Sequence, residues 1–492
     1  MKKLENENIG KAEDVYENIK NLYKETKYAE ILEILRGINI EKLPKEYQWA
    51  FFEAKGMTFL NTCRIRDGVE NLRRALFSPE GMPLLSQRRI ASSYLVNLHY
   101  CGGISDREMY EAHALYDKLF LRNIAFLHNK KDKTKLRIGY LSPNLVTHIV
   151  LNFVVQLFTL YDKNRFEVYL YHTGKRYDEV SDWLMDMTDG WRELSGLNAH
   201  EAAKKIYDDD IDILFDLAGH TEGGATLQIC AYKPAPVQIC GIGWFDTTGL
   251  SAIDYFLSDN YCDPPENDAL FTEKLIRLPH SHFCYTPPET VLKCKAEYHV
   301  HSPIVFGSFN NFDKITDEML RTWKRLLQIV PGSKLLLKNV YRTMDRVEHM
   351  KKRLLTLGFR AEQIDVRPGS FNYLDEYMDM DIALDTYPYP GGGTTCEALY
   401  MGVPVVTRYG QRHGSRFGYS LLKNMGLGEL AASSEEEYIR IAAALAGDRE
   451  LLEGIHSSLR TMMQKSPVMD ARGYVRDVEA AYEKIWKDWL NS

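Results

Sequence analysis

The sequence predicts an α/β protein in which an all-helical region precedes two doubly wound parallel-sheet domains. Three observations lead to this prediction. Residues 1–133 show helical periodicity only, later apolar runs alternate with amphipathic segments, and the proline-rich stretch 284–303 interrupts that alternation once. A chain of 492 residues is also too long for one core, which stops growing at roughly 250–300 residues. We therefore expect domains at 1–133, 134–295 and 296–492.

The N-terminal region carries its apolar residues at helical spacing. Glu13–Leu35 is one such segment, and Tyr47–Phe77 divides into two helices that contain Gly56 and Gly68. Small residues let paired helices approach closely, which is typical of tetratricopeptide-like hairpins. At most two such units can be counted, and an irregular helical cap would give the same pattern, so both interpretations stay open.

The rest of the chain alternates between strands and helices. Such alternation gives parallel sheets whose ligands bind at the carboxyl ends of the strands, so two facing domains would share a cleft. Ten apolar runs have the length of buried strands: Leu136–Leu141, Phe166–Tyr171, Ile211–Leu217, Pro236–Cys240, Leu275–Leu278, Ile304–Phe309, Lys334–Leu337, Ile364–Val366, Ile382–Leu384 and Val403–Thr407.

Composition and charge exclude several classes of protein. Lys and Arg number 61 against 68 Asp and Glu, a net charge of −7, so we expect no nucleic-acid partner, which needs a basic surface. No stretch approaches the roughly 20 apolar residues of a membrane span, and the first residues lack the apolar core of a signal peptide. The eight cysteines form no CxxC pair. We expect a cytoplasmic protein with reduced thiols.

The segment 381–407 carries the strongest signal for a binding site. A predicted strand runs into the turn Gly391–Gly393, where the backbone can approach a bulky group, and a helix begins near Thr395. The hydroxyls of Thr394 and Thr395, with the free N–H groups of a helix N-terminus, suit a diphosphate. Glu397 could accept hydrogen bonds from a ribose. The motif is neither a P-loop nor a GxGxxG fingerprint, and the glycines alone indicate only a turn.

Polar residues follow three other predicted strands. Asn311 and Lys314 come just after one strand, and a lysine there can neutralise a leaving diphosphate without a metal. Asp216 ends another strand with His220 four residues later, and His148 follows the first strand of the same domain. Any one of these is more often a loop or surface residue, but together they indicate a polar cleft.

We predict no metal site and no bound cofactor. The chain has no HExxH motif, no Cys/His cluster at zinc spacing and no Asp-x-Asp pair at the carboxyl end of a predicted strand. It also lacks the GxSxG motif of a serine nucleophile.

Taken in order, these segments resemble the O-GlcNAc transferase and SPINDLY family, glycosyltransferase family 41. The resemblance runs from about Tyr94 to the C-terminus and includes LRIGYLSPNLVTH, DILFDLAGHT, FNNFDKITDEMLRTW and DTYPYPGGGTTCEALYMGVPVVT. It implies a GT-B fold behind tetratricopeptide repeats. It also implies metal-independent, inverting transfer of a sugar, with GlcNAc the first candidate, from a UDP-sugar to Ser or Thr of an acceptor protein.

The resemblance also implies roles for single residues. His148 matches the candidate base or acceptor-side histidine, and Asp216 and His220 fall in a turn near the acceptor and the sugar. Lys314 matches the lysine that steadies the UDP leaving group, with Asn311 beside it. The resemblance implies a pyrophosphate-binding turn at Gly392, Gly393, Thr394 and Thr395. It also implies that Glu397 holds the ribose and that the Tyr373 ring stacks on uracil.

One turn departs from the family pattern. Where the family commonly has Tyr-Pro-Gly, this chain has Trp244, Phe245 and Asp246. These changes alter the space and the charge beside the sugar. Because GlcNAc, glucose and fucose all occur among relatives, the donor sugar stays open. The lack of a long insert between the two domains favours a bacterial member.

Two other functions stay in view. A protein N-glycosyltransferase that moves glucose from UDP-glucose to Asn has a related core, and a non-catalytic binding module could keep the helical repeats with a decayed site. The presence of His148, Lys314 and Glu397 argues against decay. The expected partners are an acceptor protein and a UDP-sugar, and the sequence is compatible with a homo-oligomer.

Overall fold

The computed structural model of the protein describes residues 2–120, 125–294 and 298–492, with side chains from residue 12 onward. The chain forms two compact units, Met1–Ile104 and Ser105–Ser492. None of the described helices has both the length and the apolar character that crossing a membrane requires.

The first unit contains helices and no strand among its described residues. Its α-helices are α1 (Lys2–Lys24), α2 (Tyr28–Arg36), α3 (Lys45–Asn61), α4 (Ile65–Leu76) and α5 (Leu84–Leu98). Helix α3 packs closely on α4 because Gly56 and Gly68 have no side chains: a Cβ on Gly68 would lie 2.5 Å from Cδ2 of Leu60. The predicted helix pair within Tyr47–Phe77 is confirmed.

Helix α6 (Asp106–Ala114) lies in the helical part of the sequence, residues 1–133, but belongs to the second compact unit. The reason is direct packing on a loop of the first sheet. A Cβ on Gly249 would lie 1.9 Å from the carbonyl oxygen of His113. In addition, Oδ1 of Asp117 accepts hydrogen bonds from the backbone N–H and the hydroxyl of Ser251 at 2.9 and 2.7 Å.

The first sheet has seven parallel strands in the order β3-β2-β1-β4-β5-β6-β7. The strands are β1 (Leu136–Ser142), β2 (Phe166–His172), β3 (Gly190–Glu193), β4 (Ile213–Asp216), β5 (Val237–Cys240), β6 (Tyr255–Asp259) and β7 (Lys274–Leu278). The helices that alternate with them are α7 (Leu151–Thr159), α8 (Glu179–Met187), α9 (Ala199–Asp208) and α10 (Ala225–Cys230). In register, Tyr140 of β1 lies opposite Leu170 of β2 and Phe215 of β4, all of them buried.

The second sheet has six parallel strands in the order β10-β9-β8-β11-β12-β13. The strands are β8 (Val305–Ser308), β9 (Lys334–Lys338), β10 (Ile364–Arg367), β11 (Ile382–Leu384), β12 (Val405–Arg408) and β13 (Ala431–Ala432). Its register places Phe306 of β8 opposite Leu335 of β9 and Ile382 of β11. The helices that follow the first sheet are α11 (Glu289–Lys293), α12 (Asp317–Ile329), α13 (Met344–Thr356), α14 (Gly393–Tyr400), α15 (Phe417–Asn424), α16 (Glu435–Gly447), α17 (Arg449–Gln464) and α18 (Ala471–Asn491).

All ten predicted runs form strands, and β3, β6 and β13 were not predicted. Strand β3 is only half-buried and begins with glycine, so it lacks an apolar run. Strand β13 has two residues. Strand β6 is buried, but it ends in the polar residues Ser258 and Asp259, so its apolar run is too short to predict a strand.

The last helix returns to the first sheet. The hydroxyl of Tyr482 in α18 lies 3.0 Å from that of Tyr140 in β1, and Oε1 of Glu479 accepts a hydrogen bond from the backbone N–H of Asp162 at 2.7 Å. The sequence-based division groups this helix with residues 296–492, whereas its apolar face packs on the domain of β1. A helical periodicity cannot tell which sheet a helix will cover.

Candidate active site

The candidate residues come from loops at the points where the strand order reverses. The reversal lies between β1 and β4 in the first sheet and between β8 and β11 in the second. Loops at the carboxyl ends of these strands diverge, which leaves a crevice where ligands bind in open parallel sheets. His148 follows β1, Asp216 ends β4, Lys314 follows β8, and the glycine turn follows β11.

Asp385, which sequence analysis missed, holds the glycine turn in shape. This buried carboxylate accepts hydrogen bonds from the backbone N–H groups of Gly391 at 2.7 Å and Thr386 at 2.9 Å, and from the hydroxyl of Thr407 at 2.8 Å. Burial raises its pKa, and the nearby Lys314 opposes that rise. Asp385 therefore connects the turn to the ends of β11 and β12.

The turn itself brings hydroxyl groups to the start of α14. A Cβ on Gly391 would lie 2.5 and 2.6 Å from the hydroxyl oxygens of Thr394 and Thr395, so only glycine fits. The Thr394 hydroxyl donates to Oδ1 of Asn310 at 2.8 Å. Gly392 occupies the N-cap position and supplies no side-chain cap. The N–H groups of the first helical turn are thus available to an anion.

Lys314 is seated on this turn. Its ammonium group donates to the carbonyl oxygen of Pro390 at 2.9 Å and lies 4.4 Å from the centre of the Tyr389 ring. Burial lowers the Lys314 pKa to about 8, against the opposing charge of Asp385. Asn311, the neighbour in sequence, instead caps its own loop by accepting from the backbone N–H of Asp313 at 3.2 Å. The lysine therefore carries the positive charge of this part of the cleft.

Glu397 lies behind the turn in a buried pocket of tyrosines. The hydroxyls of Tyr373 and Tyr377 donate to its two carboxylate oxygens at 2.7 and 3.2 Å. Burial nevertheless raises the pKa of Glu397 to about 7. Tyr373 is thus placed beside the predicted ribose acid, and its predicted stacking on uracil stays a prediction.

His148 lies on the opposite wall of the cleft. Its loop is held by Asp178, whose Oδ2 accepts from the backbone N–H of Thr147 at 2.8 Å. Nδ1 of His148 meets the backbone N–H of Val150 at 3.3 Å, the long end of hydrogen-bond range. Burial, with Arg176 nearby, lowers the pKa of His148. The imidazole is therefore neutral at pH 7 and can take a proton.

Asp216 and His220 lie deeper than the sequence suggests. The Asp216 carboxylate accepts from the backbone N–H groups of Ala218 at 2.9 Å and Gly219 at 3.0 Å, and burial raises its pKa to about 6. The fully buried His220 has Nε2 2.8 Å from the carbonyl oxygen of Thr248. These contacts make both residues organisers of the turn, and a direct catalytic role stays a prediction.

Sequence reasoning missed residues that act by supporting others. Asp385 accepts from the backbone N–H of Gly391, and the Tyr389 ring lies beside Lys314. Asp385 could have been found, because an acid at the end of a buried strand and before a Pro/Gly turn usually accepts backbone N–H groups. Tyr389 gives no such signal, since its partner lies 75 residues away in the chain.

One cluster in the described part of the chain has side chains that could hold a metal ion. Ligand atoms of Asp259, Cys262 and His282, all buried, lie within 4.8 Å of one another. Asp259 is already engaged, since it accepts from Nδ1 of His282 and the hydroxyl of Ser420 at 2.7 and 2.8 Å. The cluster includes none of the residues that surround the glycine turn.

Comparisons with known proteins agree with this geometry. The sequence profile of glycosyl transferase family 41 matches residues 110–286 and 285–478. A SPINDLY protein of Hordeum vulgare, named a probable UDP-N-acetylglucosamine--peptide N-acetylglucosaminyltransferase, is 37% identical over 413 residues, which cover 81% of this chain and 44% of that protein. The SEC protein of Arabidopsis thaliana, which has the same probable activity in its name, is 28% identical over 371 residues, covering 72% and 37%. The chain spans less than half the length of these relatives.

A solved structure supports the same assignment. A mutant of the Thermobaculum terrenum O-GlcNAc transferase has a TM-score of 0.82 and 30% identity, covering 90% of this chain and 85% of that one. The two doubly wound domains, which follow a helical region in the chain, therefore form the GT-B architecture that the resemblance implied. From its match over residues 110–478 and its 37% identity to a family relative, the chain belongs to glycosyl transferase family 41.

Proposed function

We propose that the protein is an inverting glycosyltransferase that moves a sugar, GlcNAc in the first instance, from a UDP-sugar to Ser or Thr of an acceptor protein. The observation that carries this proposal is the position of Lys314. Its half-buried ammonium group donates to the carbonyl oxygen of Pro390, directly before the glycine turn that opens α14, on the side of the cleft opposite His148. A cation and a helix N-terminus at one point form a site for a leaving diphosphate.

The donor half of the site follows from this anchor. The β-phosphate would accept hydrogen bonds from Lys314, the Thr395 hydroxyl and the first N–H groups of α14. The Thr394 hydroxyl would join them by giving up its hydrogen bond to Asn310. Glu397, ionised above about pH 7, would accept from the ribose hydroxyls. Lys314 and the N-terminus of α14 supply positive charge where negative charge develops on the leaving diphosphate. A divalent cation has this role in other transferases. The reaction is thus proposed to need no metal.

The acceptor half centres on His148. The acceptor hydroxyl oxygen attacks the anomeric carbon from the face opposite the nucleotide, and the bond from that carbon to the β-phosphate oxygen breaks, so configuration inverts. The hydroxyl proton passes to neutral His148, which becomes an imidazolium. Nδ1 carries the ring's lone pair when it faces the N–H of Val150, so the ring must give up that 3.3 Å contact to act as the base.

Transfer to peptides tests the proposal directly. Purified protein would be incubated with a panel of UDP- and GDP-sugars and a peptide library containing Ser, Thr and Asn, and products would be identified by mass spectrometry. We expect one UDP-sugar to modify Ser or Thr, with the sugar released by alkaline β-elimination. Alkali-resistant sugar on Asn would instead support the N-glycosyltransferase alternative. Lys314→Ala should abolish the product, whereas Lys351→Ala, at an exposed helix position, should not.

Binding of nucleotide sugars distinguishes a decayed site from an active one. Calorimetry with the same panel would show no binding if the protein is only a binding module. Binding without hydrolysis or transfer to any peptide in the library would contradict the enzymatic proposal.

A further inference from the structure

Arg412 is a buried arginine that the proposed mechanism does not use. It lies in the loop after β12, with a relative exposure of 8%, and its guanidinium forms an ion pair with Asp106, in which Nε lies 3.0 Å from Oδ1. Its buried Nη1 has no hydrogen-bond partner among the described residues. Leaving a buried donor of a charged group unpaired is costly, so such an atom needs an explanation, and a ligand is one.

The loop that contains Arg412 lies near Lys314, the proposed phosphate-binding lysine, but does not contact it directly. A Cβ on Gly414 would lie 2.8 Å from the carbonyl oxygen of Phe245, so the loop contacts the turn after β5. The Phe245 ring lies 4.4 Å from that of Tyr389, which lies 4.4 Å from the ammonium group of Lys314. Two aromatic contacts therefore separate the loop from the lysine. In a donor, the group next to the diphosphate is the sugar.

The turn after β5, which this loop contacts, is held by several hydrogen bonds. The indole N–H of Trp244 donates to the carbonyl oxygen of Thr247 at 3.1 Å, and the backbone N–H of Thr248 donates to the buried Glu273 at 2.8 Å. Oδ1 of Asp246 accepts from the backbone N–H of Thr247 at 2.8 Å. Side chains held in this way are preorganised to select a ligand by its shape.

Charge at this point favours a neutral ligand. Asp246 is 3% exposed, and burial raises its pKa while the nearby Arg412 opposes the rise. Asp106 is paired with the same guanidinium, so two acidic side chains lie near it. A sugar with its own carboxylate would have to lie beside these two acidic side chains. The hydroxyls of a neutral hexose can accept from the guanidinium and donate to a carboxylate.

We propose that Arg412 determines the donor sugar: its Nη1 donates to a hydroxyl oxygen of a neutral hexose on the nucleotide, while Asp246 accepts from a hydroxyl of the same ring. This inference rests on the proposed function and makes it more specific. The proposal also places Phe245 and Asp246, the two positions at which the chain departs from the family pattern, beside the sugar. Asp106 is a positioning residue, since it holds the guanidinium through Nε.

The test separates recognition of the sugar from recognition of the nucleotide. For the full chain and for Arg412→Leu, the Kd of UDP would be measured by calorimetry, and kcat/KM for hydrolysis would be measured for UDP-glucose, UDP-GlcNAc and UDP-glucuronate. We expect Arg412→Leu to lower kcat/KM for the preferred neutral sugar by about 10- to 100-fold, with the Kd of UDP changed less than about 3-fold. Wild-type protein should use UDP-glucuronate worst.

Two further variants guard against a purely structural effect. Arg412→Lys keeps the charge but loses the fork and should recover part of the activity, and Asp106→Asn should have a smaller effect of the same kind. Arg440→Leu, at an exposed position of α16, is the matched control and should behave as wild type. Thermal unfolding of each variant shows whether the fold is intact.

Each outcome decides the inference. Unchanged sugar preference in a folded Arg412→Leu variant would overturn it, as would an equal loss of UDP affinity and kcat/KM. If Arg412→Leu does not fold, Arg412→Lys and Asp106→Asn decide in the same way. If wild-type protein binds UDP but hydrolyses no UDP-sugar, the proposed function fails; if it hydrolyses one and the variants match it, only the role of Arg412 fails.

Discussion

Ile149 and Gly393 touch across the cleft. A Cβ on Gly393 would lie 2.5 Å from Cγ1 and 2.6 Å from Cδ1 of Ile149. Ile149 follows His148, and Gly393 is the first residue of α14. The candidate base and the phosphate turn are therefore held at a spacing that allows no extra methyl group between their loops.

Changing Gly393 to Ala should push these loops apart. We expect Gly393→Ala to lower kcat for UDP-sugar hydrolysis about 10-fold or more, because small misplacements of reacting groups are expensive. The melting temperature should stay close to that of wild type, because Ile149 is 40% exposed and separating the two loops uncovers little buried surface.

A second substitution tests whether the clash itself is the cause. Ile149→Ala in the same chain should restore much of the lost rate. Gly447→Ala is the matched control, because a Cβ there meets no atom within 4 Å. A double variant as slow as Gly393→Ala would show that contact with Ile149 is not the reason.

Lys314 should give the reaction an alkaline limit. A lysine whose pKa is lowered to about 8 is charged below that pH and neutral above it. Because the leaving diphosphate needs the positive charge, kcat/KM, which reports the free enzyme, should fall about 10-fold for each pH unit above 8. A profile that stays flat to pH 10 would contradict this role. Lys314→Arg, if active, should lose the alkaline limit.

The buried charge of Glu397 should lower the stability of the protein while it strengthens nucleotide binding. Its folded pKa of about 7 lies above the ordinary value, so its contribution to the free energy of unfolding is highest at low pH and falls as pH rises from about 4.5 to 7. Glu397→Gln should therefore stabilise the protein by about 1–3 kcal/mol at pH 8 and little at pH 4.5. Denaturant titrations at both pH values measure this difference.

The same variant should bind UDP at least about 10-fold more weakly, because an ionised acceptor for the ribose is lost. Calorimetry at pH 8 checks this value. UDP affinity equal to that of wild type would remove Glu397 from the nucleotide site. Unchanged stability at pH 8 would show that burial does not penalise its charge.

His148 should be required for turnover and not for nucleotide binding. His148→Asn should lower hydrolysis about 100-fold or more, the usual contribution of a general base, with little change in the Kd of UDP. Since burial lowers the pKa of His148, the wild-type acid limit should lie below pH 6.5. A rate that falls already at pH 7 on the acid side, or an active His148→Asn variant, would point to another base.

The sequence predicted what depends on local patterns. Buried apolar runs gave all ten predicted strands, and the glycine turn with Thr394 and Thr395 was recognised because backbone approach and a helix start leave a local signature. Strand β3 gave no signal because it is short and half-buried. The packing of α18 on the first sheet was not predicted, because helical periodicity identifies an apolar face but not the surface on which that face packs.

Contacts between distant segments were beyond the sequence. Lys314 was a candidate, but its bond to Pro390 joins residues 76 apart, and the pair of Arg412 with Asp106 joins residues farther apart still. His220 was predicted beside the acceptor, yet it is enclosed by the rings of Tyr116 and Trp244. Spacing along a chain identifies the loops that reach a cleft, and only folding determines which side chains enter it.

The central claim is that Lys314 and the start of α14 supply the charge for the leaving UDP. The measurement that tests it most directly is release of UDP from UDP-GlcNAc and the other UDP-sugars in EDTA, by wild-type protein and by Lys314→Ala. We predict slow release by wild type that EDTA does not change, and none by Lys314→Ala despite retained UDP binding. Release that stops in EDTA and returns with Mg²⁺ or Mn²⁺, or that is equal in the two proteins, would contradict the claim.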